Sequence, residues 1–377
     1  MSSSGMLQSH PLKRGGRQAK AAQRRLLVTG AGTGATNNLI RSLKAGAPAL
    51  FIVGCHSDRF FLKKSMADRN YLVPRFGHSK WAQALRYVLK AERIDLLIPS
   101  TDLDVKAVSS IRDKLRDQVF LPRQAVVELC QDKYLLSQFL RGRGLPAPAT
   151  IPVTDLKHLA SIFRRLGRTP VWCRIRTGSG SMGAMPVRSP GQARSWIRSW
   201  EAERRVPATS FTLSEYLPGR DFGCQSLWNK GELILIKAYE RLSYLLTGGQ
   251  LSQVSSVAAL SKTVYEPRVA EICANAVRAL DGKASGAFSV DLKEDASGAP
   301  RITEINAGRL SSATNILDLT GKHNMAVTYV QLALGEPVDI PETYDLAGDY
   351  YMLRDFDSCP RIFHADEFFD EIAEPSR

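Results

Sequence analysis

Two short segments constrain this chain most: Ser289-Val290-Asp291-Leu292 and Arg301-Ile302-Thr303-Glu304-Ile305-Asn306. In each, β-branched or apolar residues alternate with polar ones, the pattern of a half-buried strand. The stretch between them, Lys293 to Pro300, is rich in turn formers. The pattern predicts a hairpin, with Asp291 on one strand and Glu304 and Asn306 on the other. Glu304 and Asn306 are two apart, so they share a face of the sheet. Pairing can bring Asp291 beside them. Three oxygen side chains converging on one face repel one another unless a hard cation lies between them. Mg²⁺ takes oxygen ligands, keeps several waters and usually completes its shell with substrate phosphates. A solvated hairpin with ordinary surface acids fits the same residues. The rest of the chain has to decide between the two.

A chain of 377 residues allows two or three domains. Its hydrophobic fraction, 44%, is that of an ordinary globular protein. No run of apolar residues is long enough for a membrane span. Six cysteines are scattered, none in a Cys-x-x-Cys pair and none with His at zinc spacing. They read as buried or idle thiols in a reducing, cytoplasmic setting. The net charge of +14 suggests nucleic acid at first sight, but its distribution argues otherwise. Residues 1–25 supply six of the basic residues and no acid. A second cluster, Arg164, Arg165, Arg168, Arg174, Arg176 and Arg188, falls where a phosphate-covering lid is expected. No groove-reading or base-stacking element accompanies the charge. A small anionic substrate is the simpler account.

Residues 1–24 are too polar to order themselves and read as a basic disordered tail. A transit peptide has similar composition, but the bulky amphipathic stripe is missing. Order begins with a buried strand, Arg25 to Thr29, then a glycine loop and a helix from Asn37 to Ala45. A strand over 49–54, a helix over 80–92 and a strand over 94–99 follow. This alternation predicts a parallel sheet covered on both faces. The loop Gly30-Ala31-Gly32-Thr33-Gly34-Ala35 fits G-x-G-x-x-A, so an NAD-linked oxidoreductase is one alternative. The acid expected on the ribose is absent from the tip of the next strand, Gly54-Cys55-His56-Ser57, and Asp58 comes late. Further on, Asp132-Lys133 opens a helix that Gly144-Leu145-Pro146-Ala147-Pro148 terminates. Residues 151–206 read as a small α/β unit with a Gly/Ser loop, Thr177 to Gly183. Residues 338–377 read as an acidic extension or partner-binding tail.

Taken in this order, the landmarks resemble the ATP-grasp superfamily. Its acid followed by Glu-x-Asn is matched by Asp291, Glu304 and Asn306, with thirteen residues from the first to the second. The resemblance runs from about Arg25 to Pro337 and looks closest to the carbamoyl-phosphate-synthase branch, in a single copy. It implies an α/β (α+β) fold: a Rossmann-like pre-ATP-grasp domain, 25–120, then a two-lobed ATP-grasp domain, 121–337, with its lid at 151–206. It implies ATP and Mg²⁺, or Mn²⁺, as ligands. Asp291, Glu304 and Asn306 would take the metal. Lys133, Arg174 and the loop residues Ser179, Gly180 and Ser181 would hold phosphate. Arg174 stands where most members have Lys; the carbamoyl-phosphate-synthase branch has Arg. In Glu215-Tyr216-Leu217-Pro218-Gly219-Arg220-Asp221, backbone groups at Glu215 and Leu217 would read the adenine edge beside Tyr216, and Asp221 would accept the ribose hydroxyls.

Lys237 and Arg241 resemble a family strand whose basic residues face substrate or phosphate, and Thr247 to Gln250 reads as the turn that follows. Arg309 lies one residue later than in the usual Asn-Pro-Arg. Arg241 and Arg309 are the candidate catalytic residues. The implied activity is an ATP-dependent ligase joining a small carboxylate to an amine, without nucleic acid or membrane partners; dimers are usual for the family. A nucleotide sensor or scaffold of the same fold is the rival reading.

Overall fold

The computed structural model describes residues 23–115, 118–245, 254–355, 359 and 361–367. The first sheet is parallel and contains β1 (Arg25–Thr29), β2 (Phe51–His56), β3 (Arg69–Leu72) and β4 (Leu96–Ile98), in the order β3-β2-β1-β4. Leu26, Leu27, Val28, Ile52, Val53, Leu96 and Leu97 are all buried, because helices cover both faces. These helices are α1 (Gly34–Gly46), α2 (Arg59–Leu62), α3 (Trp81–Ala91) and α4 (Asp102–Ser109). Thr33 caps α1, accepting from the N–H of Thr36. In the glycine loop ahead of α1, the space at Gly32 is filled by the chain itself. A Cβ on Gly32 would stand 1.7 Å from the carbonyl oxygen of Phe61, at α2. A dinucleotide has no open approach to that glycine.

Two helices lead out of this layer, α5 (Gln124–Gln131) and α6 (Lys133–Gly142). The small unit that follows contains β5 (Thr150–Pro152), α7 (Leu159–Leu166), β6 (Val171–Ile175), β7 (Met185–Val187), α8 (Pro190–Arg204) and β8 (Phe211–Glu215). Its sheet runs β5-β8-β6-β7 and is antiparallel. The third sheet has seven strands in the order β13-β12-β9-β10-β11-β14-β15. These are β9 (Asp221–Asn229), β10 (Glu232–Tyr244), β11 (Ala258–Thr263), β12 (Gly286–Glu294), β13 (Pro300–Ala307), β14 (Tyr350–Leu353) and β15 (Arg361–His364). Three helices pack around it, α9 (Pro267–Leu280), α10 (Thr314–Asp318) and α11 (Met325–Ala333). Phe222, Trp228, Ile236, Phe288 and Val290 form its core with α9. β14 joins residues from the acidic extension directly to β11, with Ser261 opposite Met352.

Two sequence readings need correction. Arg164, Arg165, Arg168 and Arg188 are solvent-exposed and lie away from the cleft; of that cluster only Arg174 lines it, while Arg176 pairs with Asp132 at 2.7 Å. Lys237 is fully buried. Its ammonium donates to the carbonyls of Leu317, Thr320 and His323 at 2.9, 3.0 and 2.6 Å, and pairs with Asp345. It pins the segment after α10 and does not line the cleft. The turn expected over 247–250 lies outside the described residues. Among the described residues no helix is long and apolar enough to cross a membrane.

Candidate active site

The predicted hairpin is β12 and β13. Asp291 stands opposite Glu304, and Ser289 opposite Asn306, so the three oxygen-bearing side chains meet on one face. The amide of Asn306 donates to Asp291 Oδ2 at 3.4 Å. Each acid is held by a cation. Arg241 donates through Nη2 to Asp291 and through Nη1 to Asp221 at 2.7 Å. Lys133 lies 3.6 Å from Glu304. Burial alone would lower the pKa of Arg241, but Asp291, Tyr239 and Asp221 together raise it well above the usual value. This guanidinium is locked between two carboxylates.

Asp132 explains the position of Lys133. Its side chain caps α6, accepting from the N–H groups of Tyr134 and Leu135, and also takes Arg176. The first helical residue, Lys133, therefore projects into the cleft, where its ammonium donates to Gly178 O at 2.6 Å. Arg174 reaches the same space from β6. Its Nη2 donates to Thr303 O at 2.9 Å, while its Nε is buried with no partner. Burial lowers its pKa, and Glu304 and Asp291 offset that only in part.

The Gly/Ser loop closes this wall. Gly180 and Ser181 have φ of 71° and 57°, and a Cβ on Gly180 would meet nothing within 4 Å. The turn leaves the loop backbone accessible to a ligand.

Arg309 is anchored by the first residue of α4. Its Nε donates to Asp102 Oδ1 at 2.5 Å and its Nη2 to Asn306 Oδ1 at 2.7 Å. Burial would lower its pKa, but Asp102 leads the groups that raise it. In the hinge, the N–H of Glu215 is already donated to Ala149 O at 3.0 Å, so its backbone can offer a ligand at most the carbonyl. Asp221 accepts from Arg241 and from the Tyr244 hydroxyl.

Two adjoining cavities lie among these groups. The outer one, about 600 Å³, is lined by Trp172, Glu215, Tyr216, Leu217 and Asp221, among others. The inner one, about 170 Å³, is lined by Lys133, Ser179, Gly180, Glu304, Asn306 and Arg309, among others. Trp172, Arg174, Ser181, Arg241, Ser256 and Asp291 line both. Apart from Lys237 and the lid arginines corrected above, the residues singled out in the sequence for ligand, metal or catalysis border one continuous cleft.

No family model matches this sequence. Solved structures do. The biotin carboxylase–β,γ-ATP complex from Campylobacter jejuni superposes with a TM-score of 0.69 at 14% identity, over 88% of this chain and 75% of that one. Carboxyaminoimidazole ribonucleotide synthase from Aspergillus clavatus, complexed with ATP, gives 0.65 at 16% identity, over 88% and 81%. L-amino acid ligase from Bacillus licheniformis gives 0.63 at 14%, over 87% and 78%. The chain has the ATP-grasp fold.

The cleft can be tested against the ligands that the ATP-grasp fold implies. Among the described residues no cluster of three or more His, Cys, Asp or Glu side chains is suited to holding a metal alone. Two carboxylates and an amide oxygen are a partial shell. That suits Mg²⁺, which keeps waters and takes phosphate oxygens for the rest. The orphaned Nε of Arg174 is the donor that a phosphate would satisfy. The outer cavity is within the usual range for a nucleotide-sized ligand. The residues fit both groups.

Several cleft residues went unnoticed in the sequence. Tyr239 and Trp172 each lie two before a predicted residue, Arg241 and Arg174, so strand alternation places them on the same faces and could have found them. Asp102 and Arg354 carry no such local signal.

Proposed function

We propose that this ATP-grasp chain is an ATP-dependent ligase that activates a small carboxylate for attack by an amine. One observation carries the reading. Asp291, Glu304, Asn306, Lys133, Arg174, Arg241 and Arg309, drawn from separate segments of the chain, border one cleft as two acids and an amide among four cations. Mg²⁺ at Asp291, Glu304 and Asn306 would neutralise phosphate charge. Lys133 and Arg174 hold phosphate oxygens, while Glu215, Tyr216, Leu217 and Asp221 border the space for base and ribose. A substrate carboxylate oxygen attacks the γ-phosphorus. The bond from that phosphorus to the bridging oxygen breaks, releasing ADP and leaving an acyl phosphate. The amine nitrogen then attacks the acyl carbon, the C–O bond to phosphate breaks, and the nitrogen's proton is lost to solvent. Arg241 and Arg309 offset charge on the transferred group. Positioning and charge neutralisation do most of the work in such a transfer.

Arg174 in place of lysine supports the carbamoyl-phosphate-synthase-like branch, which has Arg at this position, and a permanently charged guanidinium there can still grip phosphate. Five buried free thiols fit a reducing, cytoplasmic setting. The test is substrate-dependent ADP release across a panel of small carboxylates, bicarbonate included, paired with amines. Wild type is expected to release ADP with at least one pair, and Glu304→Ala to lose nearly all of that rate. A variant retaining more than half of the rate refutes the metal assignment. ATP binding without turnover for any pair supports the sensor or scaffold reading instead.

A further inference from the structure

The inner cavity contains a cation that the proposed reaction leaves unused. Arg354 follows β14. Its backbone N–H donates to Ala259 O at 2.8 Å, which seats it beside β11. Its Nη2 donates to Ser312 O at 3.0 Å, and its Nε is buried with no hydrogen-bond partner. Lys133, Arg241 and Arg309 each face a carboxylate. Among the described residues Arg354 faces none. Burial lowers its pKa, and Tyr239 is the one neighbour that counters this. A guanidinium keeps its proton in proteins, so a charge placed here calls for an anion from outside the chain.

That anion is distinct from the nucleotide's base and ribose end. Arg174 borders both cavities, whereas Arg354 borders the inner one alone. Beside it are the Tyr239 hydroxyl and Ser311 Oγ, 3.2 Å apart. The carboxylates of the cavity, Asp291 and Glu304, already face Arg241 and Lys133, so the unused N–H of Arg354 beside this hydroxyl pair selects an anionic group over an ammonium. The cavity, about 170 Å³, limits that group to a small molecule.

We propose that Arg354, with Tyr239 and Ser311, forms a carboxylate subsite that anchors the acid substrate at the inner end of the cleft. The inference rests on the ligase reading and adds to it a residue from outside the span of the family resemblance.

The test is thermal unfolding with Mg²⁺ and β,γ-imido-ATP at saturation, followed by titration with sodium acetate, malonate, bicarbonate or phosphate, and chloride as the ionic-strength control. In wild type, at least one carboxylate probe is expected to raise the midpoint beyond the nucleotide's own shift. In Arg354→Gln the concentration for half that effect rises at least tenfold, while the nucleotide shift persists. Arg354→Lys recovers part of the loss, and decides the matter if the Gln variant fails to fold. An unchanged half-point in Arg354→Gln overturns the assignment, as does a wild type that responds to no carboxylate. A response to phosphate alone overturns the carboxylate class. Absence of any nucleotide shift in wild type sinks the ligase reading instead; the carboxylate titration repeated without nucleotide then still decides Arg354.

Discussion

Asp318 offers the sharpest quantitative check on the packing behind the cleft. It ends α10, is 5% exposed, and accepts from the N–H of Ala326 at 3.2 Å. Burial raises its pKa from 3.8 to about 6, outweighing Ser42, Thr314 and Lys237. The folded chain thus holds this proton more tightly than the unfolded chain does. Between those two values the unfolded chain ionises first, so stability falls as pH rises through the window and stays lower above it. At 1.36 kcal/mol per pH unit the loss is bounded at about 3 kcal/mol. Asp318→Asn removes the charge at equal size, but its amide costs about 1–2 kcal/mol where it lacks an acceptor. The variant is therefore expected to gain about 1–2 kcal/mol near pH 8, roughly 2–6 °C in midpoint. Near pH 5 about half of the penalty has already gone, and the gain shrinks toward zero. Thermal unfolding of both proteins at the two pH values is the assay. An equal loss of stability at both would mean that the ionised carboxylate is well satisfied and that burial does not govern it.

Three further outcomes follow from particular contacts. Gly223 faces Tyr239 so closely that a Cβ would stand 2.3 Å from its Cζ, so Gly223→Ala should cost about 1–3 kcal/mol by urea unfolding; an unchanged midpoint refutes the close approach. Lys237→Met strands three carbonyls and Asp345 and should cost about 3–5 kcal/mol; a loss under about 1 kcal/mol would mean that water or another donor replaces the ammonium. Trp172 borders the outer cavity, whereas Trp228 is fully buried, so Mg²⁺·ATP should change tryptophan emission in wild type; an equal change in Trp172→Phe refutes contact with the base.

The hairpin was legible because both of its determinants are local. Alternation fixed the faces, and the turn-rich stretch fixed the pairing of Asp291 with Glu304. Lys133 was legible for a similar reason, since Asp132 and the Gly-Pro stop mark its helix at both ends. Distance along a strand was harder to read. Lys237, Tyr239 and Arg241 share one face of β10, yet only the latter two reach the cleft, and Lys237 is buried beneath the segment after α10. Alternation gives the face and says nothing of what covers it. The lid arginines misled because a basic composition does not distinguish the inner side of a lid from its outer side. Asp102 and Arg354 were out of reach for another reason. Their partners, Arg309 and Ser312, are set by the docking of distant segments, Asp102 lying 207 residues from Arg309.

The ion pairs of the cleft carry one more consequence. The cation that would meet the transferred phosphate, Arg241, is the one that now neutralises Asp291. Mg²⁺ arriving alone must draw Asp291 away from a buried guanidinium, which then keeps Asp221 alone. Mg²⁺ arriving with ATP brings phosphate for the guanidinium to turn to. Metal and nucleotide should therefore bind with positive coupling, of the order of 1–3 kcal/mol. The distinctive outcome lies in Arg241→Gln. Losing the guanidinium takes the ion pair from Asp291 and leaves Asp221 with Lys293 at 4.0 Å, which destabilises the protein. Yet Mg²⁺ without nucleotide should raise the melting midpoint of this variant and barely move that of wild type. The shift should vanish when Asp291→Asn is added, and affinity for ATP should fall in Arg241→Gln. Equal Mg²⁺ shifts in wild type and Arg241→Gln would show that Asp291 is not the group over which the two cations compete, and the coupling would have to come from another part of the cleft.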